Sequence, residues 1–333
     1  MNRPILQALA LAGLLAIVVV IEGFFLPPRI PVLHDQSVPA REKVYTLFFV
    51  GDIMLDRGVA YMVKTKGSED WRFPFLHIAD TLDTADFLFG NLESVVSDRG
   101  RDVGGPYSFR ASPSSLEALT YAGFDVMSVA NNHSLDYAVE ALLDSIYRLE
   151  GVGILTAGGG STRKEAHAPT LVALGEDTTI GILAYTTVGS PLWQARETSP
   201  GIAYINTDRL HILKEDIAAA KKLADIIIVS FHFGEEYQPA PNPTQRLIGE
   251  TAITAGATLV VGHHPHVLQP LEQYKDGWIA WSLGNFLFDQ YFSQETMRGA
   301  IWRVEIQDNK VMTSKLIPTL QNNTYQVLLD SEE

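Results

Sequence analysis

The chain has 333 residues, with 25 lysines and arginines against 39 aspartates and glutamates, so its formal net charge is −14. Hydrophobic residues make up 46% of the sequence, which excludes a disordered chain. The acidic balance argues against general nucleic-acid binding, which needs basic surface to displace counterions, so we expect no nucleic-acid partner. There is no cysteine, which excludes disulfides, cysteine metal sites and a thiol nucleophile.

The first predicted element is a membrane-spanning helix. Residues 5–26 are apolar apart from Gln7 and Glu22. At about 1.5 Å per residue this segment reaches about 33 Å, enough to cross a bilayer core and contact membrane lipid. Pro27 and Pro28 then end any helix. We therefore predict a membrane anchor over residues 1–26. A cleaved signal peptide is the alternative, although its apolar region is usually shorter.

Residues 27–43 are predicted to be a linker, because they contain Pro31 and Pro39 and show neither helical nor strand periodicity. The positive charges on the two sides of the anchor are nearly balanced, so charge alone gives little information on orientation. The very short tail before the anchor favours an external body. The expectation is a single-pass protein of the cell membrane with an extracytoplasmic C-terminal domain.

The body repeats one pattern, in which a short apolar run ends in Gly, Asn or Ser next to polar side chains able to bind a metal. The runs are Val44–Val50, Phe87–Phe89, Val126–Ala130, Ile226–Ser230, Leu259–Val261 and Ile279–Leu283. Helix-like segments lie between them, one of them with Asp136 in position to cap it, so an α/β fold is predicted. Sites in such sheets form beyond the carboxyl ends of strands, so we expect these polar groups to converge.

No change in composition divides residues 44–320, which are predicted to form one domain. Near its end, Ala300–Ile306 and Val311–Ile317 flank Asp308 and Asn309 and predict a β-hairpin. Residues 321–333 are predicted to be a frayed C-terminal tail.

Five of the nine histidines follow predicted strands, which points to a metal site. His264 and His266 have the H-x-H spacing, which places both imidazoles on one face of an extended segment. Imidazole, carboxylate and amide groups together suit a divalent cation. The alternative is that His263 and His264 only form hydrogen bonds in a turn. No G-x-S-x-G or Walker A motif offers another catalytic template.

The order and spacing of six motifs between residues 45 and 290 resemble one family. The motifs are Gly51-Asp52-Ile53-Met54-Leu55, Gly90-Asn91-Leu92-Glu93, Asn131-Asn132-His133-Ser134-Leu135-Asp136, His232-Phe233-Gly234-Glu235-Glu236-Tyr237, Gly262-His263-His264-Pro265-His266 and Ser282-Leu283-Gly284-Asn285-Phe286. They resemble the CapA family of poly-gamma-glutamate capsule biosynthesis proteins, within the calcineurin-like metallophosphatase superfamily.

This resemblance implies a four-layer α/β/β/α sandwich with one or two divalent cations of Mn, Fe, Zn or Mg. Two positions depart from the superfamily pattern. Met54 stands where its first motif has a histidine, and Asn91 stands where its second has an aspartate, with Glu93 as a displaced carboxylate. The ligands that the resemblance implies are Asp52, Asn91, Glu93, Asn132, His232, His264 and His266. A site built from Asn132, His232 and His264 is expected to survive better than one built from Asp52 and His266.

The implied function is a membrane-anchored, extracytoplasmic metallohydrolase-like protein that acts in poly-gamma-glutamate biosynthesis or export. His133 would act as a catalytic acid, with Asp136 orienting it. The candidates for substrate binding are Arg57, Arg110, Glu236, Tyr237 and Gln290. The expected partners are an anionic polymer or a phosphate ester, and subunits of a membrane polymer synthase. The alternatives are a non-catalytic synthase subunit and a phosphoesterase unrelated to capsule.

Overall fold

A computed structural model describes residues 43–330, so the predicted anchor (1–26) lies outside the described residues, as does the predicted linker except for its last residue. The helices are α1 (Arg57–Thr65), α2 (Ala79–Leu82), α3 (Leu116–Ala122), α4 (Ala138–Gly151), α5 (Arg163–Ala166), α6 (Leu210–Ala220) and α7 (Pro243–Ala255). Short 3₁₀ turns cover Phe73–Phe75, Pro113–Ser115, Pro191–Trp193, Thr207–Arg209 and Glu295–Met297. Within 43–330, none of the helices has the length and apolar character that a bilayer crossing requires.

Strands make up most of the fold. They are β1 (Tyr45–Ile53), β2 (Phe87–Leu92), β3 (Val95–Val96), β4 (Arg110–Ala111), β5 (Val126–Ser128), β6 (Leu155–Ala157), β7 (Gly159–Gly160), β8 (Thr170–Leu174), β9 (Thr178–Thr186), β10 (Gly201–Ile202), β11 (Ile226–His232), β12 (Leu259–His263), β13 (Leu268–Tyr274), β14 (Gly277–Leu283), β15 (Asn285–Leu287), β16 (Arg298–Gln307), β17 (Lys310–Gln321) and β18 (Val327–Leu329).

Two large sheets organise these strands. The first has the order β18-β17-β16-β1-β2-β5-β6, with β15 also paired to β1. The second has the order β13-β14-β12-β11-β9-β8. The central pairs β1–β2 and β11–β12 are parallel, and parallel strands are normally covered on both faces. This explains why their sequences are nearly continuous apolar runs.

The cores show how the layers stack. Phe49 and Ile228 belong to a cluster shared by both sheets, whereas Phe48 points to a cluster with helices α1–α4. Ile227 points the other way, into a cluster with α6 and α7. Successive strand residues face opposite sides, so each sheet has one face on its partner and one on helices. The layers therefore run helix, sheet, sheet, helix, and the predicted α/β class is confirmed.

The C-terminal prediction was half right. The predicted hairpin is confirmed as β16 and β17, which pair antiparallel. The predicted frayed tail is wrong for the described residues up to 330, because β17 runs on to Gln321 and β18 pairs with it. Val327 supplies the physical reason, since its side chain is fully buried in the core on the helix side of the first sheet.

Two substitutions on β18 test this correction. Val327→Ala should lower the free energy of unfolding by about 2 kcal/mol, because it removes a buried side chain. Leu329→Ala on the same strand should change it by less than about 0.5 kcal/mol, since Leu329 is 42% exposed. Urea denaturation measures both. Equal, small effects would mean that β18 contributes nothing to the fold.

Candidate metal centre

The carboxyl ends of strands from both sheets meet at one place, as the sequence predicts. Asp52 near the end of β1 lies in register with Asn91 of β2, and His232 of β11 lies in register with His263 of β12. All four side chains are buried. Buried polar side chains of this kind need partners, so their convergence marks a functional site.

Glycine lets the chain reach this arrangement. Asp52 donates its backbone N–H to the carbonyl oxygen of Gly284 at 3.0 Å, which ties β1 to the segment between β14 and β15. A Cβ on Gly51 would lie 2.0 Å from that same oxygen. No other residue fits at position 51, so the glycine before Asp52 is required to place its carboxylate.

One group of potential ligands consists of Asp52, Glu93 and His232, whose ligand atoms lie within 4.8 Å of one another. Glu93 therefore does reach the site as a displaced carboxylate. Its Oε2 is buried, and no hydrogen-bond partner for it exists among the described residues. An acceptor left in this way has a free lone pair for a cation.

Asn91 is oriented differently from a ligand. Its Nδ2 donates to Oδ1 of Asp52 at 2.8 Å and lies 3.3 Å from Nδ1 of His232. Its oxygen accepts from Asn131 at 3.3 Å, so the oxygen faces away from the centre. In this orientation Asn91 bridges Asp52 and His232 through its amide nitrogen and does not present its oxygen to the centre.

A second group consists of Glu236, His264 and His266, again with ligand atoms within 4.8 Å of one another. Nδ1 of His264 is buried, and nothing in 43–330 forms a hydrogen bond with it. The His264 ring centre lies 4.8 Å from that of His232, so the two groups adjoin. The sequence predicted Glu236 as a substrate contact, and the structure places it also among the potential ligands.

The two histidines face the centre for a different reason from the predicted one. The segment is not extended, because His264 and His266 have φ values of 97° and 57°. His264 donates its backbone N–H to Oδ2 of Asp52 at 3.0 Å, and Pro265 accepts from the backbone of Tyr237 at 2.8 Å. These bonds hold a turn that directs both imidazoles inward.

The ionisation of the centre suits a cation. Burial alone would raise the pKa of Asp52, but a hydrogen bond from His263, with Nδ1 3.4 Å away, and the electrostatic effect of His263 and His266 hold it well below its usual range. Burial and the Asp52 charge raise the pKa of Glu93 well above its usual range. Burial and neighbouring imidazoles lower the pKa of His232, and lower that of His264 to about 3. Neutral imidazoles beside an ionised aspartate form a ready donor set for a divalent ion.

The structure also places Asn132, a predicted ligand, and Met54, which stands where the superfamily motif has a histidine. The Asn132 oxygen lies 2.6 Å from Nε2 of His232, so Asn132 adjoins the first group. Met54 packs in the core on the helix side of the first sheet, and its sulfur accepts the N–H of Asp56 at 3.1 Å. The position where the superfamily motif has a histidine therefore provides no donor.

His133 and Asp136 form a pair beside the centre. Nδ1 of His133 lies 2.7 Å from Oδ2 of Asp136, which also accepts from the backbone of Phe109 at 2.9 Å. The His133 ring rests on the Phe109 ring, with centres 4.0 Å apart. The prediction that Asp136 caps a helix is wrong, because α4 has Tyr137 at its N-cap and no side-chain cap there. Asp136 is instead placed to orient His133.

Comparison with known proteins identifies the family of the chain. The family model described as "Bacterial capsule synthesis protein PGA_cap" matches residues 46–290. The chain belongs to this CapA family. It is 31% identical over 270 residues to the PGA biosynthesis protein CapA of Bacillus subtilis, covering 80% of this chain and 69% of that one. It is 31% identical over 296 residues to the capsule biosynthesis protein CapA of Bacillus anthracis, covering 86% and 69%.

The fold is similar to that of a solved phosphatase. A crystal structure of a phosphatase from Mycoplasma pneumoniae superposes with a TM-score of 0.51 at 15% identity, covering 84% of this chain and 94% of that one. At this identity the likeness concerns the fold, and the predicted metallophosphatase-like architecture is confirmed at that level.

The two arginines predicted to bind substrate differ in their partners. Arg57 is ion-paired with Asp289, at 2.9 Å, and lies over the Phe109 ring. Arg110 lies over the Tyr137 ring at 4.2 Å, and no carboxylate of the described chain is ion-paired with it. Arg110 is therefore the better candidate in this CapA-family chain for gripping an anion.

The other two predicted substrate residues join a hydrogen-bonded chain that reaches the centre. Gln290 donates to the Tyr237 hydroxyl at 3.4 Å and accepts from Asn285 at 3.0 Å. Asn285 lies 2.9 Å from Nδ1 of His266. Because the Asn285 oxygen can accept a hydrogen bond from Nδ1 of His266, Nε2 is the ring nitrogen that remains for a cation.

Sequence reasoning missed four residues that hold other groups of the site in place. Asn131 holds Asn91, Asn285 holds His266, Asp289 holds Arg57, and His263 contacts Asp52. Asn131 and Asn285 stood inside motifs of the CapA family, and each lies within three residues of a strand end, Ser128 of β5 or Leu283 of β14. That position was the available signal, because side chains there adjoin the ligands.

Proposed function

We propose that this chain is a metal-dependent hydrolase of the CapA family that acts in poly-gamma-glutamate biosynthesis or export. The observation that carries the proposal is the pair of adjoining donor groups at the strand ends. The names of the Bacillus relatives supply the pathway. A hydrolase also accounts for the His133–Asp136 pair, which a purely structural cation site would not need.

The donor set fits one or two cations of Mn, Fe, Zn or Mg. Asp52, Glu93 and His232 would hold one, and Glu236, His264 and His266 would hold the other. A divalent cation supplies a lowered pKa for attacking water and polarises the scissile bond. Every donor except Glu236 is buried, so water is largely excluded and electrostatic effects are strengthened.

The protein's own groups position the substrate and its proton. The Asp136 carboxylate forms a hydrogen bond with Nδ1 of His133. Nε2 of His133 is therefore the nitrogen that would donate a proton to a leaving group. The Arg110 guanidinium can hold an anionic group by two parallel hydrogen bonds. The formal net charge of the chain is −14, so an acidic polymer would be repelled without such local positive charge.

We further propose that residues 1–26 anchor the protein in the cell membrane with its body outside, where it meets the polymer and the synthase subunits. The apolar segment 5–26 supports the anchoring. An external location supports access to an exported polymer.

A second candidate is a non-catalytic subunit of the polymer synthase. Two observations favour it: Met54 provides no donor, and the Asn91 oxygen faces away from the centre. An enzyme that had lost activity would show this kind of ligand loss.

Substrate screening of the full chain, loaded with each metal in turn, separates the candidates. The substrates are a γ-linked glutamyl oligomer, p-nitrophenyl phosphate and bis(p-nitrophenyl) phosphate. Cleavage of the oligomer that disappears in His264→Ala supports the proposal. Turnover of the phosphate esters alone would favour an unrelated phosphoesterase, and bound metal without turnover would favour the subunit.

Asp136→Asn tests the orienting role of Asp136. The amide keeps the size of the side chain but removes its charge, so His133 loses its fixed orientation and the stabilisation of its protonated form. We expect turnover to fall by at least about tenfold with metal content unchanged. The matched control is Asp276→Asn, which removes an exposed carboxylate in the turn between β13 and β14. Equal turnover in the two variants would contradict the role.

A further inference from the structure

Three arginines line a small pocket that shares no residue with the metal centre. Arg163, Arg196 and Arg209 surround a space of about 280 Å³. Arg163 starts α5, Arg196 lies in the loop before β10, and Arg209 ends a 3₁₀ turn before α6. We call this the arginine pocket. Its volume suits a small anionic group or one acidic side chain, not a folded partner.

Backbone and side-chain bonds fix the three segments relative to one another. Arg163 donates its backbone N–H to the carbonyl oxygen of Arg196 at 2.8 Å. Ala195, next to Arg196, donates to Ile202 at 3.0 Å. The Arg209 guanidinium donates to the side-chain oxygen of Gln194. The pocket is therefore a built feature of the fold, not a chance meeting of long side chains.

The charges of the arginine pocket are not neutralised by ion pairs. Across the described chain, no carboxylate is ion-paired with any of its three guanidinium groups. The contrast is with the arginines elsewhere that do have carboxylate partners: Arg57, Arg72, Arg99, Arg148, Arg246, Arg298 and Arg303. Three like charges held together repel one another, and the one carboxylate that lines the pocket, on Glu197, leaves an excess of positive charge there. In a protein with a formal net charge of −14, such a cluster is a local region of positive charge.

We propose that the arginine pocket binds carboxylate groups of an acidic polymer, as a second site apart from the metal centre. A guanidinium fork matches a carboxylate with two parallel hydrogen bonds. The pocket stands on its own geometry, whereas the choice of a glutamyl polymer rests on the proposed function. A polymer long enough to span both sites would have a raised effective concentration near the metal centre once the arginine pocket holds it.

Binding of a fluorescent γ-linked glutamyl oligomer to the full chain, followed by anisotropy, tests this site. Arg163→Ala and Arg196→Ala should each weaken binding by about tenfold, since each removes a charge-assisted contact. Arg196→Lys should restore part of it. Glu197→Gln should tighten binding a few-fold, because Glu197 is the one carboxylate of the described residues that lines the pocket.

Controls separate this proposal from the proposed function. Arg72→Ala removes the same charge from an arginine paired with Asp70 and should leave binding unchanged. His264→Ala should abolish metal-dependent activity and still bind the oligomer. Thermal melting checks that each variant folds. Binding that falls equally in Arg72→Ala and Arg196→Ala would overturn the site. Displacement of the oligomer by inorganic phosphate at lower concentration than by free glutamate would overturn the carboxylate assignment.

Discussion

His264→Ala is expected to lose one equivalent of bound metal, and His232→Ala the other. His264 belongs with Glu236 and His266, while His232 belongs with Asp52 and Glu93, so each variant leaves one donor group complete. Removing a ligand should weaken the affinity of its group by at least about 100-fold, since loss of a mere supporting residue already costs about 10–100-fold. Elemental mass spectrometry of the full chain after metal loading measures both effects.

His211→Ala is the matched control, because it removes an exposed imidazole on α6 far along the chain from either group. Its metal content should equal that of the unaltered protein. A single equivalent in the unaltered protein, lost in His232→Ala and kept in His264→Ala, would restrict metal binding to the first group. Unchanged metal in both variants would remove the basis for a metal centre altogether.

The sequence was enough to predict the strand-end part of the site. Asp52 and His232 follow apolar runs, and parallel strands end at one edge, so their meeting depends only on fold class. Glu236 could not be placed in this way. It lies in a loop after Gly234, whose φ of 103° turns the chain, and a bond from Tyr237 to Pro265 brings the loop to the histidines.

Other errors came from tertiary bonds that outweighed local patterns. Asp136 precedes a helix and resembles a cap, yet its carboxylate instead forms hydrogen bonds with the His133 ring and the Phe109 backbone N–H. Residues 321–330 lack a strong period, yet the edge of β17 offers β18 unpaired backbone groups and a buried place for Val327. For Asp136 the partner that local patterns do not show is Phe109, 27 residues away in the sequence. For residues 321–330 it is the neighbouring strand β17.

Glu93→Gln is expected to stabilise the metal-free protein while weakening metal binding. Burial and the charge of Asp52 raise the pKa of Glu93 well above its usual range. The folded protein therefore keeps a proton that the unfolded chain releases above its ordinary pKa. By linkage, the free energy of unfolding falls as pH rises from that value through the folded pKa. The amide side chain of the Glu93→Gln variant does not ionise, so the free energy of unfolding of this variant does not fall with pH for this reason.

The gain in the metal-free variant should be small near pH 4 and should grow from there to pH 7, where it appears as a higher melting temperature. Both proteins contain the same buried histidines, so to first order the histidine contribution cancels in the difference. Thermal melting in chelator at both pH values measures it, with the exposed Glu176→Gln as control. With metal present the order should reverse, because ionised Glu93 is then a ligand. A metal-free variant that melts lower than the unaltered protein at pH 7 would show that this carboxylate supports the fold, not the cation.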